Sequence, residues 1–176
     1  MALQTPLHTE RLLLRPFHVG DVADAFAYRN DTEFARFLPH IPQPFTRENA
    51  ETFVALNMSE PWERSPTFAV VLDGRVIGTV NFEVNGEKGE AMLGYAIGRA
   101  WWGRGIATEA AQAAMAWAIQ TFDLVRIWAS TDPGNIRSMR VMQKLGMTRD
   151  PPETGDRLGR EGEPGDGVVY SLSIHR

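Results

Sequence analysis

The sequence predicts one mixed α/β domain over residues 1–176, in which an antiparallel sheet forms first and crossover connections follow. Two observations lead to this prediction. Strand-like segments separated by short turns occupy residues 67–98, as in an antiparallel meander. Beyond residue 105, helical and strand-like segments alternate, so the chain must cross the sheet. We find no internal repeat and no linker between two cores, which favours a single domain.

Composition restricts the class of protein. Hydrophobic residues make up 43% and charged residues 23% of the 176 residues, which is typical of a globular protein with its own core. No apolar segment could span a bilayer and no signal segment is evident, so we expect no membrane partner. A net charge of −4 without a concentrated basic stretch argues against a nucleic-acid partner. Cysteine is absent, which excludes disulfides and fits a reducing, cytoplasmic location.

The N-terminal part of the chain is predicted to contain a strand, two helices and a proline-rich loop. The segment "RLLLRPF" (11–17) predicts a strand, and Asp21 is the predicted N-cap of the helix that follows. Three prolines in "FLPHIPQPF" (37–45) predict a loop. Thr46 then caps a second helix that extends to about Met58.

A three-stranded meander comes next. The segments "TFAVVLD" and "RVIGTVNFEV" are joined by Asp73-Gly74, which is a strong hairpin signal. The turn "NGEKGE" leads to a third strand, "AMLGYAIG" (91–98). The remaining segments are predicted as a helix (107–122), a strand (126–132), a helix (135–146) that ends at Gly146, a short strand (147–150), a long loop (151–167) and a final strand (168–174).

A glycine-rich turn, "RAWWGRGIATEA" (99–110), connects the third meander strand to the next helix. Glycines at a helix N-terminus let backbone N–H groups surround an anion, and the helix dipole adds partial positive charge there. The turn is therefore either a phosphate cradle or only a tight strand-to-helix connection. Its residues alone support the two interpretations about equally.

Two known phosphate motifs are excluded. A P-loop would continue with Lys and Ser or Thr after its second glycine, but Arg104 and Gly105 follow Gly103. A dinucleotide fingerprint would carry glycine at Thr108 and would belong to a βαβ unit, whereas here the preceding strands form a meander. What remains is a cradle suited to a pyrophosphate held mainly by backbone amides.

Three segments resemble the GNAT superfamily of N-acetyltransferases, in its ribosomal-protein and spermidine acetyltransferase branch. The segment "LGYAIGRAWWGRGIATEA" resembles the central motif of this branch, "DPGNIRSMRVMQKLGM" (132–147) its second hallmark, and "TERLLLRPF" (9–17) its usual start. The matches lie in family order, and the resemblance as a whole covers nearly the whole chain. They imply a GNAT-like fold with a mostly antiparallel central sheet, splayed strands and about four flanking helices, as a monomer or homodimer.

The resemblance also implies acetyl-CoA as the cosubstrate. Backbone amides of one run are expected to hold its pyrophosphate: Trp102, Gly103, Arg104, Gly105, Ile106 and Ala107. The backbone of a second run is expected to pair with the pantetheine arm as an added strand: Tyr95, Ala96 and Ile97. Asn135 corresponds to an asparagine that contacts the same arm, although the sequence also explains it as an N-cap.

Attack of an amine on a thioester needs a base for the amine and a proton for the departing thiolate. Ser138 matches the serine that is the candidate proton donor in this branch, although a first-turn serine also bonds backbone. Many family members carry Glu where this chain has Met92. Glu90 and Glu83 are the alternative bases; each is also explained as a solvated charge near a turn, and water is a further alternative. The histidines show no metal-ligand spacing, so no metal is expected.

The predicted function is transfer of an acetyl group from acetyl-CoA to a primary amine, either a protein N-terminus, as in ribosomal-protein acetyltransferases, or a small molecule. Met92 in place of a carboxylate leaves open a non-catalytic CoA-binding module. A structural domain without a ligand is the third alternative. The acceptor is expected to be selected by residues 37–45 and 151–167, which carry no motif that identifies it.

Overall fold

The computed structural model describes residues 4–151 and 167–175. The long loop predicted over 151–167 lies outside these residues apart from its two ends. The helices are α1 (Val22–Arg29), α2 (Thr32–Ala35), α3 (Arg47–Ser59), α4 (Ile106–Phe122) and α5 (Ile136–Lys144). The strands are β1 (Leu7–His8), β2 (Leu13–Arg15), β3 (Thr67–Leu72), β4 (Arg75–Asn85), β5 (Glu90–Ile97), β6 (Arg126–Thr131), β7 (Thr148–Arg149) and β8 (Val168–Ser173).

The described strands form one sheet in the order β1-β2-β3-β4-β5-β6-β8-β7. Neighbouring strands are antiparallel, except that β5 and β6 are parallel. The predicted hairpin between β3 and β4 is confirmed, because Asp73 (φ 49°) and Gly74 (φ 76°) both adopt the left-handed conformation that a two-residue type I′ turn requires. The mixed α/β class and the mostly antiparallel sheet are thereby confirmed.

Each face of the sheet carries its own hydrophobic cluster. On one face, α4 packs through small residues, among which Ala110, Ala114 and Ala118 have no exposed surface, so the helix lies close to the strands. On the other face, α1 and α3 cover β2, β3 and β4. Alternate residues of β3 divide between the two clusters, as the period of two along a strand requires. These helices hold the central strands between them.

Two local features differ from the sequence prediction. Strand β2 is shorter than the predicted 11–17, and the single-turn helix α2 was missed. Asp21 does precede α1, but its carboxylate does not cap the helix. It accepts hydrogen bonds from the Arg15 guanidinium (2.8 Å to each oxygen) and from the His18 N–H, because this buried carboxylate pairs with the nearest cation.

Candidate active site

The parallel strands β5 and β6 separate after a short contact. Their pairing is confined to Glu90–Met92 of β5 and Arg126–Trp128 of β6. Beyond Met92, β5 stays paired with β4 as far as Ile97, while β6 stays paired with β8. The two strands therefore open a wedge in the middle of the sheet, and the edge of β5 that faces the wedge is available for a ligand.

Backbone groups of β5 line this wedge at every second residue. The N–H of Gly98 donates to the carbonyl of Ile77 at 2.8 Å, on the β4 side. Since strand residues alternate in direction, Tyr95 and Ile97 turn their N–H and C=O groups toward the wedge. The indole N–H of Trp102 donates to the Ile97 carbonyl at 2.7 Å. An extended ligand with amide groups could pair with the backbone of Tyr95 as an added strand.

The wedge is part of a cleft of about 590 Å³. Of the residues predicted to hold a ligand or catalyse, the cleft brings together Tyr95, Ala96, Ile97, Trp102, Gly103, Gly105, Ile106, Ala107, Asn135 and Ser138. The predicted residues outside its lining are Arg104, Glu83 and Glu90. Several lining residues were not predicted from the sequence: Glu33, Phe34, Arg36, Arg137, Arg140 and Lys144.

The glycine turn forms one end of the cleft. Gly103 (φ 74°) and Gly105 (φ 75°) both adopt the left-handed conformation, which explains why glycine stands at these two positions. A Cβ atom at Gly103 would meet no protein atom within 4 Å, so the backbone there faces open space. Helix α4 begins at Ile106, and its unpaired N–H groups add partial positive charge to the turn. This geometry fits a bound anion such as a pyrophosphate.

Helix α5 contributes a basic wall. Arg137, Arg140 and Lys144 line the cleft, on the same side of the helix as Ser138 and Val141. The Arg137 guanidinium lies over the Trp102 indole, 4.6 Å from the ring centroid, and so connects α5 to the glycine turn. The spacing of three and four residues between these cations was visible in the sequence and could have identified the wall. The wall adds positive charge beside the turn.

Tyr95, Asn135 and Ser138 form a polar cluster across the cleft. The Tyr95 hydroxyl oxygen lies 2.8 Å from the Ser138 Oγ and 2.9 Å from the Ser138 carbonyl oxygen. Asn135 caps α5, since its side-chain oxygen accepts from the Ser138 N–H at 3.2 Å. Burial raises the pKa of Tyr95 to about 12, against the opposing effect of its hydrogen bond with Ser138. At neutral pH the tyrosine is therefore a proton-bearing hydroxyl.

The structure does not bring Glu90 and Glu83 to this cluster. Glu90 begins β5, at the opposite end of the strand from Ile97, and pairs with Arg126 at 3.4 Å. Glu83 is exposed on β4 opposite Met92. Within the described part of the chain, the acidic residue that lines the cleft is Glu33 of α2, which lies 3.8 Å from Arg36.

Two kinds of feature are absent from residues 4–151 and 167–175. No group of three or more His, Cys, Asp or Glu side chains could hold a metal ion there. No helix in that part of the chain is both long and apolar enough to cross a membrane.

Comparisons with known sequences agree with the geometry. Residues 11–148 match the family described as "Acetyltransferase (GNAT) domain". The uncharacterized N-acetyltransferase YnaD of Bacillus subtilis is 32% identical over 142 residues, covering 81% of this chain and 82% of that protein. The [ribosomal protein uS5]-alanine N-acetyltransferase of Escherichia coli is 36% identical over 100 residues, covering 56% of this chain and 51% of that protein.

Solved structures share the fold. A GNAT-family acetyltransferase from Bacillus anthracis superposes with a TM-score of 0.80 at 27% identity, covering 96% of this chain and 98% of that chain. The Microcin C7 self-immunity acetyltransferase MccE, solved in complex with acetyl-CoA and AMP, superposes with a TM-score of 0.82 at 16% identity, covering 94% of each chain. At 16% identity, the similarity to MccE shows a shared fold alone.

Proposed function

Because the chain belongs to the GNAT acetyltransferase family, we propose that it transfers the acetyl group of acetyl-CoA, the acyl donor of that family, to a primary amine. The observation that carries the proposal is the cleft itself. It combines a glycine turn for an anion, an open strand edge for an amide-bearing arm, and two hydroxyl groups where the two walls meet. A cytoplasmic location belongs to the same proposal.

The residues of the cleft fit the chemical groups of acetyl-CoA in order. The amides of Gly103, Gly105, Ile106 and Ala107 would hold the pyrophosphate, with the cations of α5 beside it. The Trp102 amide is left out of the predicted set, because it donates to the Arg99 carbonyl at 3.2 Å. The wedge-facing backbone of Tyr95 would pair with the pantetheine amides. Arg104 does not line the cleft, so it is left out of this set as well.

The bound cosubstrate supplies an activated thioester. We assign the N–H of Ile97, which faces the wedge, to the thioester oxygen, on which negative charge develops during attack. We assign the Ser138 hydroxyl to the protonation of the departing sulfur, with Tyr95 as the neighbouring hydroxyl. Glu90 and Glu83 have no part in this proposal, because neither lines the cleft. Water, the remaining alternative, accepts the proton that the attacking amine loses and returns a proton to the Ser138 hydroxyl.

For the acceptor we propose the α-amino group of a protein N-terminus. The relative in Escherichia coli that acts on ribosomal protein uS5 supports this choice. At and just after α2, the cleft is lined by Glu33, the largely buried Phe34 and Phe37. Apolar rings beside a carboxylate suit the short side chain and the charged amine of an N-terminal residue.

The acceptor is tested with an equimolar mixture of candidates and acetyl-CoA, analysed by mass spectrometry. The mixture contains peptides that begin with Ala or Ser, the same peptides blocked at the N-terminus, spermidine and free amino acids. We expect acetylation of the unblocked peptides alone. Acetylation of spermidine or amino acids instead would replace the proposed acceptor. Acetylation of lysine side chains with none at the free N-termini would exclude the N-terminus.

A further inference from the structure

The N-terminal segment is bound to the first turn of α4 by a set of short hydrogen bonds. The Thr9 hydroxyl donates to the Glu109 Oε1 at 2.6 Å, and the Arg11 backbone N–H donates to the same oxygen at 3.0 Å. The Arg11 guanidinium binds the other carboxylate oxygen through Nε (2.7 Å) and Nη2 (2.6 Å). These bonds join residues 9–11 to the first turn of α4, next to the glycine turn, although the two segments are about a hundred residues apart in sequence.

Arg11 also holds the glycine turn itself. Its Nη1 donates to the carbonyl oxygen of Arg104 at 3.0 Å. In a trans peptide the carbonyl of one residue and the N–H of the next point in opposite directions. Fixing the Arg104 carbonyl toward Arg11 therefore turns the N–H of Gly105 to the other side of the peptide plane. Gly105 lines the cleft and Arg104 does not, which agrees with this orientation.

The ion pair between Arg11 and Glu109 also affects the charge beside the glycine turn. A carboxylate in the first turn of α4 would repel an anion bound at the start of that helix. Partial burial alone would raise the pKa of Glu109, but hydrogen bonds from Thr9 and Arg11 and the charge of Arg11 outweigh it and keep this pKa below its ordinary value. Glu109 is thus ionised, and Arg11 both offsets its charge and is positioned by it.

We propose that Arg11 is a positioning residue for the diphosphate group of the acyl donor: its guanidinium, held by Glu109, fixes the Arg104–Gly105 peptide so that the Gly105 amide faces the cleft. The proposal rests on the function proposed above for the identity of the anion, which is the pyrophosphate of CoA. It assigns a role to the "TER" segment (9–11), whose residues do not line the cleft.

Binding of CoA, measured by isothermal titration calorimetry, tests the proposal without any acceptor. Arg11→Met is expected to weaken CoA binding by about tenfold or more, since one fixed amide and one compensating charge are lost. Arg47→Met is the matched control, because Arg47 also pairs with a glutamate on a helix but lies outside the cleft. Unchanged affinity in Arg11→Met would overturn the proposal, as would an equal loss in Arg47→Met.

A second variant separates positioning from charge. Arg11→Lys keeps the positive charge but offers a single nitrogen in place of the planar fork that reaches both Glu109 and the Arg104 carbonyl. We expect its CoA affinity to fall nearly as far as that of Arg11→Met. An Arg11→Lys variant that binds CoA as tightly as the parent would show that charge alone suffices and would overturn the positioning role.

An acyl donor without the pyrophosphate shows which part of acetyl-CoA depends on Arg11. S-acetylpantetheine lacks the pyrophosphate, so kcat/KM with this donor should be the same in Arg11→Met and parent within about twofold, while KM for acetyl-CoA rises. An equal loss with both donors would mean general damage to the cleft and would overturn the proposal. A parent that binds CoA but acetylates no amine contradicts the proposed function and leaves the Arg11 result standing.

Discussion

Tyr95 on β5 and Ser138 on α5 meet across the cleft, with the tyrosine hydroxyl oxygen 2.8 Å from the serine Oγ. The same phenol lies 2.9 Å from the Ser138 carbonyl, so its single proton can go to either oxygen. When Tyr95 donates to the Oγ, the proton of Ser138 is free to point into the cleft. This arrangement is the one in which Ser138 can protonate a departing sulfur.

Removing the serine hydroxyl tests its assigned role. Ser138→Ala should lower kcat by roughly a hundredfold, the usual loss when a proton donor is removed. KM for acetyl-CoA should change little, because the pyrophosphate cradle is untouched. Steady-state release of the CoA thiol measures both constants, and a variant with the parent's kcat would exclude Ser138 as the donor.

Tyr95 is expected to act only through Ser138. Tyr95→Phe should lower kcat by about fivefold, because it removes one hydrogen bond to the Ser138 Oγ. In the Ser138→Ala background the same change should have no further effect. The double-mutant cycle is measured on kcat, with CoA affinity as the control for folding. Independent, additive losses would contradict the coupling.

Stability at alkaline pH provides a test that does not involve catalysis. Burial raises the pKa of Tyr95 to about 12, whereas an unfolded tyrosine ionises near pH 10. Between these two pH values the folded protein binds more protons than the unfolded protein. The contribution of Tyr95 to the free energy of unfolding is therefore fully present below pH 10 and is lost as the pH rises toward 12. Tyr95 contributes about 2–3 kcal/mol to this loss. Tyr28, whose pKa burial also raises, adds to it.

Guanidinium unfolding at pH 9 and pH 11 measures that effect. The parent should lose more free energy of unfolding between the two pH values than Tyr95→Phe, which lacks the titrating group. An equal loss in the two proteins would show that the Tyr95 hydroxyl is not protected from ionisation by the fold.

Asn135 is expected to position Ser138 by capping α5. Asn135→Ala removes the hydrogen bond to the Ser138 N–H and should cost about 1 kcal/mol of stability, with a fall in kcat because Ser138 shifts. Asn135→Asp retains the cap and should restore most of the stability. Urea unfolding and initial rates are compared for the three proteins. A stable Asn135→Ala enzyme with normal kcat would rule out the positioning role.

The fold could be predicted where one local signal decides the structure. The hairpin at Asp73-Gly74 is an example, and so is the end of α5, where Gly146 adopts φ 81° and donates to the Gln143 carbonyl. Helix α2 was missed because it is a single turn without a repeating apolar pattern. The prediction that Asp21 caps α1 was wrong, because the Arg15 guanidinium binds the Asp21 carboxylate instead.

The site could be predicted only where contiguous segments build it. The glycine turn and the edge of β5 are such segments, and the structure brings both to one cleft. Tyr95 and Ser138 are 43 residues apart, and Arg11 and Glu109 are 98 apart, so their contacts depend on how strands and helices pack. Glu90 and Ile97, by contrast, lie at opposite ends of one strand, and the rise per residue of the strand predicted over 91–98 already implied that separation.

The central claim is acetyl transfer within the cleft, and CoA-thiol release at saturating acetyl-CoA with a pool of primary amines tests it most directly. Three proteins are compared: the parent, Gly105→Glu and Gly74→Glu. Both glycines have φ near 75° and tolerate no side chain easily, but only Gly105 lines the cleft. We predict amine-dependent release in the parent and in Gly74→Glu, and its loss in Gly105→Glu. No amine-dependent release from a parent that binds acetyl-CoA, or full activity in Gly105→Glu, would contradict the account.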